Sequence, residues 1–323
     1  MILCITHSQD FYTIDIVQNA LTNLGFQSIR LNVDEFAINY KIHYNIIDGQ
    51  TRCRLTTEDL SIESSEITAV WYRKLWDLEA PEDLDPNYKL VILKEYHTYL
   101  QLFFDSLKNV YWINDMKTDH AVGSNKMHQL EVAHNIGLQI PKTTIGNEPA
   151  VVRTFSKSCP NGTIMKLHGA LAKSMDAKLF LPTIRLSDKD LDNLADLSYC
   201  PMIFQEYIDK MYELRIIYVE GIFFAGKIQH TEVQVDWRIA QGIESVWKRY
   251  QLPNEITNKL RRMMQCLHLP FGAIDMIRNK EGVYVFLEVN PQGEWGMLQR
   301  ELGYQIGETL AEKLIEQAKK NEQ

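Results

Sequence analysis

The stretch that most restricts the possible fold lies late in the chain, at residues 271–294. It reads FGAIDMIRNKEGVYVFLEVNPQGE. Two apolar runs, 272–278 and 283–290, flank the turn Asn279-Lys-Glu-Gly282. Apolar runs separated by a short glycine-containing turn are typical of a β-hairpin.

Acidic and amide side chains occur at regular positions in this hairpin. Side chains alternate along a strand, so Tyr284, Phe286, Glu288 and Asn290 are expected on one face. With a four-residue turn, Asp275 is expected opposite Phe286 and diagonal to Glu288. Carboxylates on an otherwise apolar surface are costly without a positive partner, and oxygen ligands without His or Cys suit Mg²⁺. The alternative is a strand edge with solvated acids.

Composition and charge exclude several classes of protein. The chain has 323 residues, of which 45% are hydrophobic and 24% charged, which predicts a globular protein of two or three domains. A net charge of −8 argues against general binding of nucleic acid or acidic membranes. The apolar runs are too short to span a bilayer.

Cysteine usage and the N-terminal residues indicate the compartment. The five cysteines are widely spaced, and none forms a CxxC pair, which fits reduced thiols better than disulfides or a zinc site. Met1 leads directly into an apolar strand, with no basic segment or cleavage site. We therefore expect no signal peptide and a cytoplasmic location.

The first third of the chain predicts a small α/β domain. Residues 2–32 show a strand, a helix and a second strand, as in a parallel sheet. The dipeptide Asp48-Gly49 predicts a hairpin turn. The strand 67–73 ends at Arg73, at the edge where open parallel sheets bind ligands. A solvated basic strand end is the alternative for Arg73.

Charged side chains interrupt apolar elements in the middle of the chain. Ser124 is predicted to cap a helix that contains Lys126. Lys166 lies inside an apolar strand, where its stem snorkels to the surface or its ammonium meets a fixed anion. Glu213 and Arg215 share one strand face, as either a structural salt bridge or ligand groups.

Taken in order, these positions resemble the ATP-grasp fold. They are Lys126, Lys166, Gln205-Glu206-Tyr207-Ile208, Glu213-x-Arg215, Asp275 and Glu288-x-Asn290. The resemblance implies an α/β fold in three parts. A small pre-ATP-grasp-like domain is expected at 1–113, a central subdomain with leader-peptide binding at 114–204, and a C-terminal subdomain with the metal and nucleotide site at 205–323.

Longer motifs resemble the microviridin-type (graspetide) peptide macrocyclases. The motifs are Ala69-Val-Trp-Tyr-Arg-Lys74, Leu191-Asp-Asn-Leu194, Cys200-Pro-Met-Ile-Phe-Gln-Glu206, Asp236-Trp-Arg238, Gly272-Ala-Ile-Asp-Met-Ile277 and Phe286-Leu-Glu-Val-Asn-Pro-Gln-Gly-Glu294. Enzymes of that family form ester rings through Thr or Ser, or amide rings through Lys, in ribosomally made precursor peptides. The resemblance implies that an Asp or Glu carboxylate of the peptide is activated by ATP as an acyl phosphate, with release of ADP and phosphate.

The same resemblance implies a role for each site residue. Two Mg²⁺ ions are expected on Asp275, Glu288 and Asn290. Lys126 and Lys166 are expected on the ATP phosphates, and Glu213 on the ribose. The hinge Gln205, Glu206, Tyr207 and Ile208 is expected to read adenine through its backbone. The residues expected to stabilise the acyl phosphate and its successor are Arg215, Arg238 and, from the N-terminal domain, Arg73.

The precursor peptide, leader plus core, is the expected partner. The resemblance places leader recognition near a helix predicted at 187–197 and capped by Ser187, with Asp190 and Asn193 as the contacts. An ordinary solvated helix face is the alternative. The loop 168–176 has only one glycine, which departs from the glycine-rich loops that cover ATP phosphates in this fold.

Two other functions are alternatives to that of a peptide macrocyclase. A ligase that adds an amino acid such as glutamate to a peptide or protein would use the same fold. A non-enzymatic nucleotide-binding regulator is disfavoured, because the acidic trio and both lysines are present. We expect no nucleic-acid or membrane partner, and a homodimer is left open.

Overall fold

The computed structural model describes residues 1–168, 183–228 and 247–321. Their contacts divide the chain into two compact units. The first contains Met1–Asp119, Leu269–Phe271 and Glu294–Gln323, and the second contains His120–His268 and Gly272–Gly293. The three-part division expected from the sequence, 1–113, 114–204 and 205–323, stays a prediction.

The described chain contains both helices and strands. Residues 1–124 contain β1 (Ile2–Thr6), α1 (Thr13–Asn23), β2 (Ser28–Asn32), α2 (Phe36–Asn39), β3 (Lys41–Ile47), β4 (Gln50–Thr56), β5 (Ser61–Glu63), β6 (Ala69–Tyr72), α3 (Lys89–Ser106), β7 (Tyr111–Ile113) and α4 (Met116–Ser124). Residues 126–228 contain α5 (Lys126–Asn135), β8 (Thr143–Gly146), α6 (Pro149–Lys157), β9 (Thr163–Lys166), β10 (Ile184–Arg185), α7 (Asp188–Asp192), β11 (Met202–Glu206), β12 (Lys210–Val219) and β13 (Ile222–Ile228). Residues 247–321 contain β14 (Lys248–Tyr250), α8 (Asn254–Cys266), β15 (Phe271–Asn279), β16 (Tyr284–Asn290), α9 (Gly296–Leu302) and α10 (Ile306–Asn321).

The first unit is built on a parallel sheet of order β2-β1-β6-β7, which confirms the parallel sheet predicted for the N-terminal region. Every residue of β1 is buried, as expected for a central strand covered on both faces. Helix α1 buries its apolar stripe Ile14, Val17 and Leu21. Helix α10 packs against α1 at Gly307, where a Cβ atom would lie 2.4 Å from Ile16 Cγ2.

A small antiparallel sheet of order β3-β4-β5 adds to this unit. Asp48 and Gly49 connect its first two strands with φ angles of 53° and 76°. Left-handed φ angles at both turn positions are characteristic of a type I′ hairpin, so the predicted turn is confirmed.

The second unit contains two antiparallel sheets, of order β10-β9-β11-β8 and β14-β13-β12-β15-β16. A core of Val152, Leu194, Leu197, Met202 and Phe204 supports the first sheet. Helix α5 packs against β16 at the edge of the second sheet. The fully buried side chain of Gln129 on α5 completes this edge, because its amide donates to the carbonyl of Val289 and accepts from the Val289 N–H, both at 2.9 Å.

Two helix boundaries differ from those predicted. Ser124 ends α4, and Asn125 caps α5 instead, because its side chain accepts from the N–H of His128 at 3.0 Å. The helix predicted at 187–197 is divided into α7 and a short 3-10 turn, Ala195–Tyr199. Ser187 caps α7 as predicted.

In the part of the chain that the structure describes, no helix is long and apolar enough to cross a membrane.

Candidate active site

The late hairpin forms as predicted, but its register differs by one residue. Asp275 on β15 lies directly opposite Glu288 on β16, whereas Met276 lies opposite Phe286. Leu287 is therefore an extra residue, a β-bulge. The expected pairing of Asp275 with Phe286 was wrong, and so was the expected shared face of Phe286 and Glu288, because the bulge reverses the alternation of side chains.

The bulge brings three oxygen-bearing side chains of the second unit together. The Asn290 side-chain amide donates to Asp275 Oδ2 at 3.3 Å and to Glu288 Oε1 at 2.9 Å. Both carboxylates are about four-fifths buried, with side-chain exposures of 21% and 22%. Charged groups at this depth need partners of opposite sign.

Two lysines supply positive charge to Glu288. Lys126, the first residue of α5, is buried, and its Nζ lies 3.4 Å from Glu288 Oε2 and 3.1 Å from Asn290 Oδ1. Lys166, at the end of β9, places its Nζ 3.8 Å from the same Glu288 oxygen. The ammonium of Lys166 thus meets a fixed anion, which was one of the two alternatives for this strand lysine.

Arg215 supplies the positive partner of Asp275. Its Nη1 donates to Oδ1 at 2.9 Å and to Oδ2 at 2.8 Å. Gly293 leaves room for this guanidinium, because a Cβ atom there would lie 2.9 Å from Arg215 Nη2 and 2.3 Å from Ala273 Cβ. Glu213, two residues earlier on β12, pairs with Lys210 Nζ at 2.6 Å.

Asp275, Glu288 and Lys166 line a cleft of about 710 Å³ between the two sheets of the second unit, a volume that includes solvent at its mouth. Lys166, Lys210, Glu213, Asp275 and Glu288 form its polar wall. Its apolar wall consists of Pro141, Ile164, Ile208, Ile277 and Leu287. A cleft with an apolar region and a few convergent polar groups is the usual form of a ligand site.

The predicted adenine hinge, Gln205 to Ile208, also lines this cleft. The backbone N–H groups of Glu206 and Tyr207 donate to the carbonyls of Lys142 and Gly162, both at 2.9 Å. Since these two amides hold the hinge against its neighbours, Ile208 offers the next amide along the chain. The Gln205 side chain donates to Thr143 Oγ1 at 3.0 Å, so it fixes the strand rather than the ligand.

The donor set determines which metal would fit. Among residues 1–168, 183–228 and 247–321, no group of three or more His, Cys, Asp and Glu side chains is arranged to hold a metal ion. A cation here would therefore use Asp275, Glu288 and the Asn290 oxygen, with the remaining ligands from outside the protein. Few protein oxygens completed by water or phosphate suit Mg²⁺. The Asn290 oxygen faces Lys126 in this structure, so its amide must rotate to bind a cation.

The other predicted site residues do not all lie in this unit. Arg73 belongs to the first unit, where it is 3% exposed and bonded to Glu294. Arg238 lies outside the described residues. Asp190 and Asn193 lie on or beside α7 in the second unit, and both are exposed. The Asp190 carboxylate accepts from the hydroxyl and the N–H of Ser187 at 2.7 and 2.8 Å, which lowers the pKa of Asp190.

The sequence interpretation missed two residues of the site, Gln129 and Lys210. Gln129 follows Lys126 by three positions, so both lie on the same face of α5. That spacing is a signal that could have indicated a shared target on β16. Lys210 precedes Glu213 on the same strand, and no pattern distinguished it from an ordinary solvated lysine.

Two solved macrocyclase structures are similar to this chain over nearly its whole length. Macrocyclase MdnB from Microcystis aeruginosa MRC is 36% identical, with 97% of this chain and 98% of that chain covered and a TM-score of 0.83. Macrocyclase MdnC of the same organism, bound with its precursor peptide MdnA, is 31% identical, with 98% and 99% covered and a TM-score of 0.86. The chain belongs to this family of ATP-grasp macrocyclases.

Two further comparisons concern the macrocyclase family. Residues 1–120 match the family described as the MvdD pre-ATP-grasp domain. The Chryseobacterium gregarium RiPP-associated ATP-grasp ligase, solved in complex with ADP and a leader and core peptide, is 29% identical, with 98% of this chain and 96% of that chain covered and a TM-score of 0.88. No curated protein sequence matches the chain. The predicted α/β ATP-grasp fold, the N-terminal pre-ATP-grasp domain and the assignment as an ATP-dependent ligase are confirmed.

Proposed function

We propose that this ATP-grasp ligase is a peptide macrocyclase that uses ATP and Mg²⁺ to join side chains within one ribosomal precursor peptide. An Asp or Glu carboxylate of the peptide attacks the γ-phosphorus of ATP, so that ADP leaves and an acyl phosphate forms. A Thr or Ser hydroxyl, or a Lys amine, of the same peptide then attacks the acyl carbon. Phosphate leaves, and an ester or amide ring remains.

The observation that carries this proposal is the separation of the cleft into two chemical regions. Carboxylates and ammonium groups gather at one end, around Asp275, Glu288, Lys126 and Lys166, whereas the hinge and apolar side chains form the other wall. ATP has a matching division into a polyphosphate and a flat, weakly polar base. Likeness to MdnC, whose solved complex contains a precursor peptide, supports a peptide as the second substrate.

The polar end supplies what phosphoryl transfer needs, which is positioning and neutralisation of charge. Lys126 and Lys166 are proposed to leave Glu288 for the phosphate oxygens as ATP enters. Mg²⁺, held by Asp275, Glu288 and Asn290, would neutralise charge on the phosphates; two ions are part of the proposal. Likeness to a ligase solved with ADP supports a nucleotide in this cleft.

The remaining assignments belong to the same proposal. Glu206, Tyr207 and Ile208 read adenine through their backbone, and Glu213 accepts from the ribose. Arg215, Arg238 and Arg73 stabilise the acyl phosphate and the tetrahedral species that follows it. Asp190 and Asn193 bind the leader. A cytoplasmic location is supported by five cysteines that are all free thiols.

The experiment is incubation of the purified protein with ATP, Mg²⁺ and a precursor peptide, followed by mass spectrometry and assay of ADP and phosphate. MdnA, which MdnC binds, is an available probe. A short peptide found encoded beside this gene would be a second probe. Each ring removes one water from the peptide mass. Tandem fragmentation then shows whether each link is an ester or an amide.

Other outcomes select the competing functions. An increase in peptide mass by an added amino acid supports the intermolecular ligase. Formation of AMP in place of ADP rules out the acyl phosphate. Nucleotide binding with no change in any tested peptide favours the regulator.

A further inference from the structure

The carboxyl edge of the parallel sheet in the first unit holds a polar cluster of which the proposed reaction uses only Arg73. In the order β2-β1-β6-β7, the strand that follows β1 in sequence lies on one side of it, and β6 lies on the other. The topological switch point is therefore between β1 and β6, and open α/β sheets bind ligands there. His7 directly follows β1, and Arg73 and Trp76 follow β6.

Two ring nitrogens at this edge have no hydrogen-bond partner among the residues that the structure describes. His7 is 4% exposed and stacks on Trp76, with ring centroids 3.7 Å apart and planes inclined by 6°. His7 Nδ1 and Trp76 Nε1 are buried without a hydrogen-bond partner within the described parts of the chain. An indole nitrogen can only donate, and a buried donor without an acceptor is costly. Within residues 1–168, 183–228 and 247–321, the Trp76 N–H therefore lacks an acceptor.

The acceptors nearby are already engaged by their neighbours. Asp10 accepts from the hydroxyls of Thr6 and Thr13 at 2.5 and 3.3 Å. Asp34 accepts from the backbone N–H and the hydroxyl of Ser8 at 2.9 and 2.6 Å. An oxygen acceptor for the Trp76 N–H would thus have to come from outside this cluster.

The contacts of Arg73 indicate which kind of oxygen acceptor would bind at this edge of the sheet. Its guanidinium is 3% exposed and donates from Nη2 to Glu294 Oε1 at 2.6 Å, while Asp10 lies farther away at 3.8 Å. The Glu294 side chain is 55% exposed and comes from a separate segment of the unit. A guanidinium selects anionic oxygens, and an exposed carboxylate can exchange with another one without leaving Arg73 unpaired.

We propose that the switch point between β1 and β6 binds an anionic oxygen group, a carboxylate or a phosphate, with Arg73, His7 and Trp76 as donors. Glu294 is the internal carboxylate that this ligand displaces. If the ligand is a carboxylate, its source under the proposed function would be an acidic side chain of the core peptide. In this one respect the inference rests on the proposed function.

The test uses the full-length protein labelled with ¹⁵N, without ATP or peptide. The indole N–H resonance of Trp76 is assigned by its loss in Trp76→Phe and followed during titration with glutarate and, separately, with inorganic phosphate. We expect this resonance to shift on saturation. Glu294→Gln removes the competing charge and is expected to lower the apparent Kd about tenfold, which corresponds to the strength of a charge-assisted hydrogen bond.

Matched variants make the result decisive. Glu301→Gln is the control, because Glu301 is partly exposed in the same unit and pairs only weakly, at 3.4 Å, with its neighbour Arg300. Arg73→Gln is expected to abolish the shift, while unchanged indole resonances of the other tryptophans show that the variant is folded. A Trp76 response to glutarate alone, to phosphate alone or to both supports the site and identifies its ligand chemistry.

Two results overturn the proposal. One is the lack of any Trp76 shift in both the wild type and Glu294→Gln. The other is a shift that persists unchanged in Arg73→Gln. Because the titration contains neither ATP nor precursor, its failure would remove the anion-binding role of Arg73 without showing whether rings form, and failure of ring formation would leave the titration result unchanged.

Discussion

Arg215 donates from one nitrogen to both carboxylate oxygens of Asp275, at 2.9 and 2.8 Å. The arginine proposed to stabilise the reacting acyl group and the aspartate proposed to hold Mg²⁺ are therefore partners before any ligand binds. Binding of a cation at Asp275 must compete with this guanidinium or share the carboxylate with it. The two proposed roles can be separated by changing one residue at a time.

Arg215→Met is expected to lower the rate of ring formation about a hundredfold or more, the usual effect of removing a donor that stabilises an oxyanion. Binding of ADP with Mg²⁺ is expected to persist, because the substitution removes the cation that competes for Asp275. The variant without ligand should melt at a lower temperature, since the largely buried carboxylate of Asp275 loses the guanidinium that neutralises it. Mass spectrometry of the peptide and calorimetric titration with ADP and Mg²⁺ give the two quantities.

Arg215→Lys is the matched variant, since it keeps the charge and loses the planar donor geometry. It should bind ADP as the wild type does and recover only part of the rate. Ring formation at the wild-type rate in Arg215→Met would show that Arg215 has only a structural role.

The metal assignment predicts that Asp275→Asn and Glu288→Gln each lower turnover about a thousandfold, because a metal ion contributes several kcal/mol to stabilising charge in the transition state. Glu288→Gln also releases Lys126 and Lys166 from their carboxylate. Nucleotide binding without Mg²⁺ should therefore be maintained or tightened in that variant. Turnover is measured as ADP release over a range of Mg²⁺ concentrations.

Glu281→Gln is the control for this pair, because Glu281 is an exposed acid in the turn of the same hairpin. It should leave both turnover and the Mg²⁺ requirement unchanged. Wild-type turnover in Asp275→Asn or Glu288→Gln would contradict the metal assignment.

Local patterns predicted much of this site because they depend on neighbouring residues. The apolar runs and the turn around Gly282 predicted the hairpin. The position of Lys166 inside an apolar strand indicated that this lysine is unusual. The bulge at Leu287 was not predictable in this way. It depends on a third segment, since the N–H of Phe286 donates to the carbonyl of Gln139 at 2.8 Å and the two strands shift register beside this contact.

Long-range partners explain the remaining differences. Gln129 binds Val289, which is 160 positions away, and Arg73 binds Glu294, which is 221 positions away. Alternation and spacing describe only one segment at a time. Sequence alone therefore placed Arg73 at a sheet edge that binds ligands, with a solvated strand end as the alternative, and could not show that Glu294 is its partner.

The leader-binding assignment can be separated from simple helix capping. Asp190 and Ser187 form a reciprocal cap at the start of α7, so Asp190→Ala and Ser187→Ala should each destabilise this turn to a similar extent. If Asp190 also contacts the leader, Asp190→Ala should weaken leader binding about tenfold more than Ser187→Ala does. Fluorescence anisotropy of a labelled leader peptide measures both affinities.

Asn193→Ala completes this test, because Asn193 follows α7 and lies outside the cap formed by Ser187 and Asp190. It should weaken leader binding with little change in melting temperature. Equal affinities for Asp190→Ala and Ser187→Ala, together with a wild-type affinity for Asn193→Ala, would place the leader elsewhere.

Thiol reactivity tests the fold of both units in one measurement. Cys200 and Cys266 are exposed, whereas Cys4, Cys53 and Cys159 are buried. Burial raises the pKa of Cys4 to about 12 and also raises the pKa of Cys53. Because the thiolate is the reactive form, the native protein at pH 8 should show two fast-reacting thiols with an aromatic disulfide reagent.

The remaining three thiols should react only after unfolding in denaturant, when all five become accessible. Cys200→Ser and Cys266→Ser should each remove one fast equivalent, and Cys4→Ser should remove none. The pKa of Cys4 also sets a pH dependence. Its thiol stays neutral in the folded protein while the unfolded chain ionises near pH 9, so its contribution to stability is complete below pH 9 and declines from there toward pH 12. A third fast thiol in the native protein at pH 8 would contradict the packing of Cys4, Cys53 or Cys159, and the matching serine variant would identify which one.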